Sequence, residues 1–194
     1  MAALRKFAFV RMTVDEFLSW DPKDRSGRLW QLIDGDPVAM APATDAHGSI
    51  QSEIIGLLRD HLLRRGSACR VVTTPGVIPR IGASRNFRIP DLGVTCAPPS
   101  RETNLPDPVL LIEILSPSNE NETRANIWTY TTIPSVREIL AVRSTRLEAE
   151  LLRRRDDGSW PEEPDILARD ASLTLDSIDF TTPLKAFYRT TELG

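Results

Sequence analysis

One apolar stretch of strand length, Val109-Leu110-Leu111-Ile112-Glu113-Ile114-Leu115, has a single carboxylate set into it, and that acid restricts the fold more than any other feature of the chain. A continuous apolar run bounded by turn residues reads as a strand buried on both faces. An ionised carboxylate there costs several kcal/mol unless a cation, a metal or hydrogen bonds compensate. Upstream, Ile89-Pro90-Asp91-Leu92-Gly93-Val94 is a second strand-like run that also carries one acid. Either acid alone reads as a strand-end residue that meets water or caps a loop. The pair, on two central strands, suggests a shared divalent metal.

A chain of 194 residues suits one domain, 1–194, with a sizeable core. Hydrophobic residues at 41% argue against disorder. No apolar run approaches the length of a membrane span. Met1-Ala2-Ala3-Leu4-Arg5-Lys6-Phe7 lacks the apolar segment and cleavage site of a signal peptide, so the expected location is cytoplasmic. Cys69 and Cys96 fit neither a zinc pattern nor a disulfide framework, and both are expected to pack as small buried hydrophobes. A net charge of −3 and a pI near 5.5 argue against a strong, non-specific nucleic-acid binder but leave room for a local basic groove. Lysine is scarce: only Lys6, Lys23 and Lys185 occur.

Thr13, with Glu16 three residues on, reads as a capping box opening a short helix. Asp34-Gly35-Asp36 reads as the turn of a hairpin between 29–33 and 37–40. The strongest helical pattern spans 47–65, where Ile50, Ile54, Leu57, Leu58 and Leu62 share one face and Gly66 is the stop. Strands are expected at 69–73, 76–80 and 88–95, followed by a Pro-rich loop over 97–108 and the Glu113 strand. Ser116-Pro117-Ser118-Asn119 breaks that strand, and Asn119 or Asn121 caps a helix running to Tyr130. A second hairpin spans 137–143 and 147–152. Beyond Asp156 the pattern predicts a loop with an irregular strand near 173–175.

Pro90-Asp91, then Glu113-Ile114-Leu115-Ser116-Pro117-Ser118, then a helix holding Tyr130, form an ordered set that resembles the Uma-type family of putative restriction endonucleases, within the PD-(D/E)xK nuclease superfamily. Further matches are Trp30-Gln31-Leu32-Ile33-Asp34-Gly35-Asp36, His47-Gly48 and Ile133-Pro134-Ser135-Val136-Arg137-Glu138-Ile139, so the similarity covers about 12–154. The resemblance implies an α/β fold with a restriction-endonuclease-like core: a central mixed β-sheet flanked by helices, with an N-terminal helix and hairpin. It implies a metal-dependent DNA endonuclease, with Mg²⁺ or Mn²⁺ as cofactor, DNA as substrate and a homodimer as the assembly.

By the same resemblance, Asp91, Glu113 and the carbonyl of Ile114 are the metal ligands, with Gln31 beside them. Mg²⁺ takes hard oxygen ligands and keeps several waters, so a sparse set is chemically adequate. The superfamily's lysine positions the attacking water and stabilises charge at the phosphate. In the simplest motif it lies two residues after the second acid, which is Leu115 here. In Uma-type proteins it stands on the following helix, four residues before a tyrosine and one turn after an acid. Here the tyrosine is Tyr130, the acid is Glu122, and the lysine's place holds Asn126. Gln31 stands where the family carries glutamate. These departures weaken cleavage and leave open a second function, a catalytically inactive nuclease-fold protein that binds nucleic acid or a protein partner.

Neither nearby arginine is expected to replace the lysine. Arg124 lies two residues from Asn126, about 200° around an ideal helix, and Arg88, three residues before Asp91 on a strand, should face the other side of the sheet. His47 reads either as a general base or as a helix-start residue that caps or packs. Glu53 reads as a solvated surface acid, and Tyr130 as a core residue with its hydroxyl at the site edge. Arg153-Arg154-Arg155 reads as a solvated loop, with DNA phosphate contact as the alternative. Trp128 and Trp160 read as core or interface residues, with base stacking as the alternative.

Overall fold

The computed structural model describes residues 11–23, 27–117 and 119–194. The N-terminal reading at 1–7, and Ser118, lie outside the described residues. Six strands form the central sheet in the order β3 (Arg70–Thr73), β4 (Leu92–Thr95), β5 (Pro108–Leu115), β6 (Glu138–Arg143), β7 (Glu148–Arg153) and β8 (Asp165–Ala168). Numbering leaves room for the hairpin β1 (Trp30–Ile33) and β2 (Asp36–Ala39), which precedes them in the chain. Only β5 and β6 run parallel, and every other neighbouring pair is antiparallel. Parallel neighbours need a crossover, supplied here by helix α3 (Glu120–Tyr130) between β5 and β6. The result is the expected mixed α/β architecture.

The buried β5 strand explains its own composition. Leu110, Ile112 and Ile114 pack in the cluster that holds Ile50, Ile54, Leu58 and Leu62 of helix α2 (Asp45–Arg64). Leu111 and Leu115 pack in the cluster with Ile127 and Tyr130 of α3. Period-two alternation thus feeds two helix-backed cores from one strand, which is why the run is apolar throughout. Glu113 belongs to the set facing α3.

Helix α2 begins two residues earlier than periodicity indicates, because Thr44 takes the N-cap position and its hydroxyl accepts from the His47 backbone N–H at 3.3 Å. Helix α1 (Val14–Leu18) carries the full capping box, with both Thr13–Glu16 bonds present. The β1–β2 hairpin turns through Asp34 (φ 51°) and Gly35 (φ 91°), the paired positive φ values of a tight hairpin turn. A Cβ on Gly35 would also lie 2.7 Å from the Cβ of Arg11.

Four expectations need correction. Residues 76–80 make only isolated bridges, Gly76 to Asn104 and Val77 to Arg88. Cys69 and Cys96 form a disulfide; Cys69 is half-buried and Cys96 exposed rather than core. Register explains the pairing: Arg70 faces Thr95 across β3 and β4, so the next residues outward face each other. Beyond Asp156 the chain is more ordered than composition indicates. It adds β8, then a hairpin of β9 (Ser172–Leu175) and β10 (Phe180–Pro183), and buries Leu173, Leu175, Leu184, Phe187 and Tyr188 in the α2 cluster. Finally, the triple arginine is tethered. Arg153 pairs with Glu138 and Asp176, and Arg154 donates to the carbonyls of Pro134, Thr131 and Ile133. Among the described residues, no helix is long and apolar enough to cross a membrane.

Candidate active site

Strand register brings the two acids together. Leu92 on β4 pairs with Ile112 on β5, so Asp91 and Glu113 are the next residues along the same antiparallel ladder. Directly opposed residues of an antiparallel pair project to one face. The two residues are only 8% and 5% exposed. Asp91 Oδ2 accepts from the backbone N–H of Ile114 at 2.7 Å, and its Oδ1 lies 2.9 Å from His47 Nε2. A carboxylate can only accept, so this contact places the imidazole proton on Nε2. The Asp91 carbonyl accepts from Gln51 Nε2 and from the Thr74 backbone N–H. Asp91 is thereby fixed from α2, β5 and the chain after β3.

Glu113 is held from α3 instead. The Tyr130 hydroxyl, fully buried, donates to Glu113 Oε1 at 2.7 Å. Burial, reinforced by the neighbouring Asp91 charge, pushes the Glu113 carboxyl well above the usual carboxylate range, and the Tyr130 bond only partly opposes this. Burial beside Glu113 likewise raises the Tyr130 phenol well above its ordinary value, so the hydroxyl keeps its proton and remains a donor. A raised acid binds its proton more tightly in the folded chain than in the unfolded one. Its cost to stability therefore grows as pH rises above the unfolded value of about 4.3 and is complete above the folded value. Glu113→Gln, which keeps an acceptor for Tyr130, should raise the denaturation midpoint of the metal-free protein at pH 8 and leave it nearly unchanged at pH 4. Urea titrations at the two pH values would show it; a midpoint lowered at pH 8 would contradict it.

A second set of side chains joins β1 to α3, the helix that carries Tyr130. Gln31, 1% exposed on β1, donates through Nε2 to Glu122 Oε1. Its own Oε1 accepts from Asn126 Nδ2 at 3.3 Å. Gln31 and Asn126, the two positions that the sequence resemblance singles out, are therefore in direct contact with each other. Asn126 does not point at the acids as a free side chain: it is 5% exposed and engaged with Gln31, while its Oδ1 is buried with no hydrogen-bond partner.

Arg124 faces away as the helix geometry requires, paired with Glu120 and Glu150. Glu53 is not a solvated surface acid; it is buried and ion-paired with Arg189. Trp128 is exposed, and Trp160 donates to the Thr131 carbonyl beneath the Arg154 guanidinium. Asn119 takes the N-cap position of α3, but its side chain accepts from the Ser116 backbone N–H and hydroxyl rather than capping the helix.

Arg88 was missed. The strand-parity argument fails because 89–91 is not a regular strand: the Arg88 bridge to Val77 ends before Pro90, and β4 begins only at Leu92. Leu32 and Phe87 exchange backbone hydrogen bonds, so Gln31 and Arg88 occupy the next opposed positions. Arg88 thus lies on the side of Gln31, and its guanidinium interacts electrostatically with Tyr130, Asp34 and Glu122.

The residues present suit a hard divalent cation in part. Two buried carboxylates converge, one of them raised by burial and by its neighbour's charge, and the buried Asn126 amide oxygen lacks a hydrogen-bond partner. Among the described residues no group of three or more His, Cys, Asp or Glu side chains is arranged around a common point. The donor set is therefore sparse and oxygen-based, which is chemistry suited to Mg²⁺ or Mn²⁺ retaining several waters rather than to zinc.

Residues 14–184 match the Uma2 family, described as "Putative restriction endonuclease". The chain belongs to that family. It is 31% identical over 186 residues to the uncharacterized protein slr1290 of Synechocystis sp., covering 93% of both chains. Its fold is similar to the crystal structure of a putative nuclease belonging to DUF820 from Anabaena variabilis, with a TM-score of 0.74 at 18% identity, over 91% of this chain and 97% of that one. The matched range includes Gln31, Asp91, Glu113 and Asn126.

Proposed function

We propose that this Uma2 protein is a metal-dependent endonuclease that hydrolyses phosphodiester bonds of DNA at Asp91 and Glu113. The observation that carries this reading is the meeting of two buried acids, Asp91 just before β4 and Glu113 on β5, within a nuclease-family match. Asp91, Glu113, the Ile114 carbonyl and the Gln31 amide oxygen would hold Mg²⁺ or Mn²⁺. When bound, such an ion supplies a water of lowered pKa and polarises a phosphoryl oxygen.

The chain's own groups do the rest. His47 and the Ile114 N–H fix the two oxygens of Asp91, so the carboxylate has little rotational freedom left to lose. Tyr130 does the same for one oxygen of Glu113. The apolar shells of α2 and α3 keep the dielectric low, which strengthens every charge interaction inside. Asn126 offers the attacking water only an amide in place of a lysine's charge, and turnover should be slow for that reason. The contact between Asn126 and Gln31 favours a second reading, an inactive nuclease-fold protein.

Manganese titration separates the two. Wild type should bind Mn²⁺ by calorimetry or paramagnetic relaxation, Asp91→Ala should lose that binding, and Glu113→Gln should weaken it. Equal Mn²⁺ uptake by wild type and Asp91→Ala would contradict the metal site.

A further inference from the structure

Among the described residues, the buried guanidinium of Arg88 has no ion-pair partner, and the carboxylates of Asp34 and Glu122 act on it from longer range. Arg88 is 4% exposed, and its Nη2 donates to Asn86 Oδ1 at 2.9 Å. Its Nε is buried without a hydrogen-bond partner, and among the described residues no carboxylate lies within ion-pair distance of it. Asn86 does not serve Arg88 alone, because its amide also accepts from the Asp34 N–H and donates to Asp34 Oδ1. Burying a charge in this way costs several kcal/mol unless something anionic joins it. The half-buried Arg143, by contrast, meets Glu120, Glu148 and Glu150.

Position strengthens the case. Arg88 stands opposite Gln31 across the bridge between β1 and 87–88, and within electrostatic reach of Tyr130, whose hydroxyl holds Glu113. Guanidinium is a planar fork that matches phosphate oxygens and stays charged when buried.

We propose that Arg88 binds the substrate phosphate at this site, its unpartnered edge donating to a phosphodiester oxygen, and so supplies the positive charge that Asn126 does not. This rests on the nuclease reading above for the identity of the ligand. Uptake of the phosphate removes the orphan donor and neutralises the buried charge together. The same contact orients the phosphodiester against the two acids.

The test uses a short DNA duplex with Ca²⁺ in place of Mg²⁺, and the wild type, Arg88→Lys, Arg88→Met and Asp91→Ala proteins. Loss of a charge-assisted bond should weaken duplex binding of Arg88→Met roughly ten- to hundredfold, and Arg88→Lys should recover part of it. In wild type labelled with ¹⁵N-arginine, the Arg88 Nε–H resonance should shift on adding duplex. That spectrum decides the matter even where Arg88→Met fails to fold. Unchanged duplex affinity in folded Arg88→Met, or an unmoved Arg88 resonance at saturating duplex, would overturn the proposal. If that happens while Asp91→Ala still abolishes Mn²⁺ binding, the metal site stands and only Arg88 is dismissed. If Asp91→Ala leaves Mn²⁺ binding intact while Arg88→Met loses the duplex, Arg88 stands as an anion site and the metal-dependent reading fails.

Discussion

Gln31→Glu on its own should destabilise the protein by about 3–5 kcal/mol at pH 8, the usual cost of an uncompensated buried charge. Gln31 is 1% exposed, and its amide nitrogen donates to Glu122. A carboxylate in that place turns donor against acceptor into two acceptors and sets two negative charges in contact. Adding Asn126→Lys should recover most of the loss, because the ammonium would stand where Asn126 already meets Gln31. The coupling between the two changes, read from urea denaturation of wild type, both single variants and the double variant, should exceed 1 kcal/mol, within the range of about 0.5–3 kcal/mol found for residues in contact. Additive effects would contradict a shared network. If the proposed nuclease reading holds, the double variant, with a carboxylate and an ammonium in place of two amides, should also cleave faster than wild type.

Leu58→Ala should cost about 2–5 kcal/mol, the range for large apolar side chains removed from packed cores. Leu58 is fully buried in the middle of α2, in the cluster that includes Leu92, Leu110 and Ile112. The loss has a functional side. Helix α2 also delivers His47 to Asp91 and Gln51 to the Asp91 carbonyl, so loosening its packing should loosen the carboxylate. A denaturant midpoint unchanged by Leu58→Ala would contradict this packing.

The parts of the fold that the sequence discloses are those in which one strong periodicity acts alone. The α2 stripe, the β5 run and the Thr13–Glu16 box each declare themselves within a few residues, and the structure holds them close to where the pattern puts them. Of the C-terminal hairpin, β9 was expected near 173–175, while β10 was hidden because Phe180-Thr181-Thr182-Pro183 reads as a polar loop. The disulfide was hidden because its pairing depends on the register of β3 with β4 across 27 residues.

The site divides along the same line. Asp91 and Glu113 are visible because acids are costly inside apolar strands. Their meeting at one rung is a property of register, which the sequence does not print. The Gln31–Glu122 and Gln31–Asn126 contacts join residues more than ninety positions apart, and no local pattern marks them. Arg88 needed the most correction. Counting parity from Asp91 assumes an unbroken strand, whereas Pro90 interrupts it and returns the arginine to the side of Gln31.

The most direct test is the conversion of supercoiled plasmid to nicked circles, followed over hours with Mg²⁺ or Mn²⁺, for wild type and Asp91→Ala side by side. Wild type should nick slowly, only with the metal present, and Asp91→Ala should fall to the background of buffer alone. Nicking that is equal in the two proteins, or absent from wild type under saturating Mn²⁺, would contradict a hydrolytic site at Asp91 and Glu113.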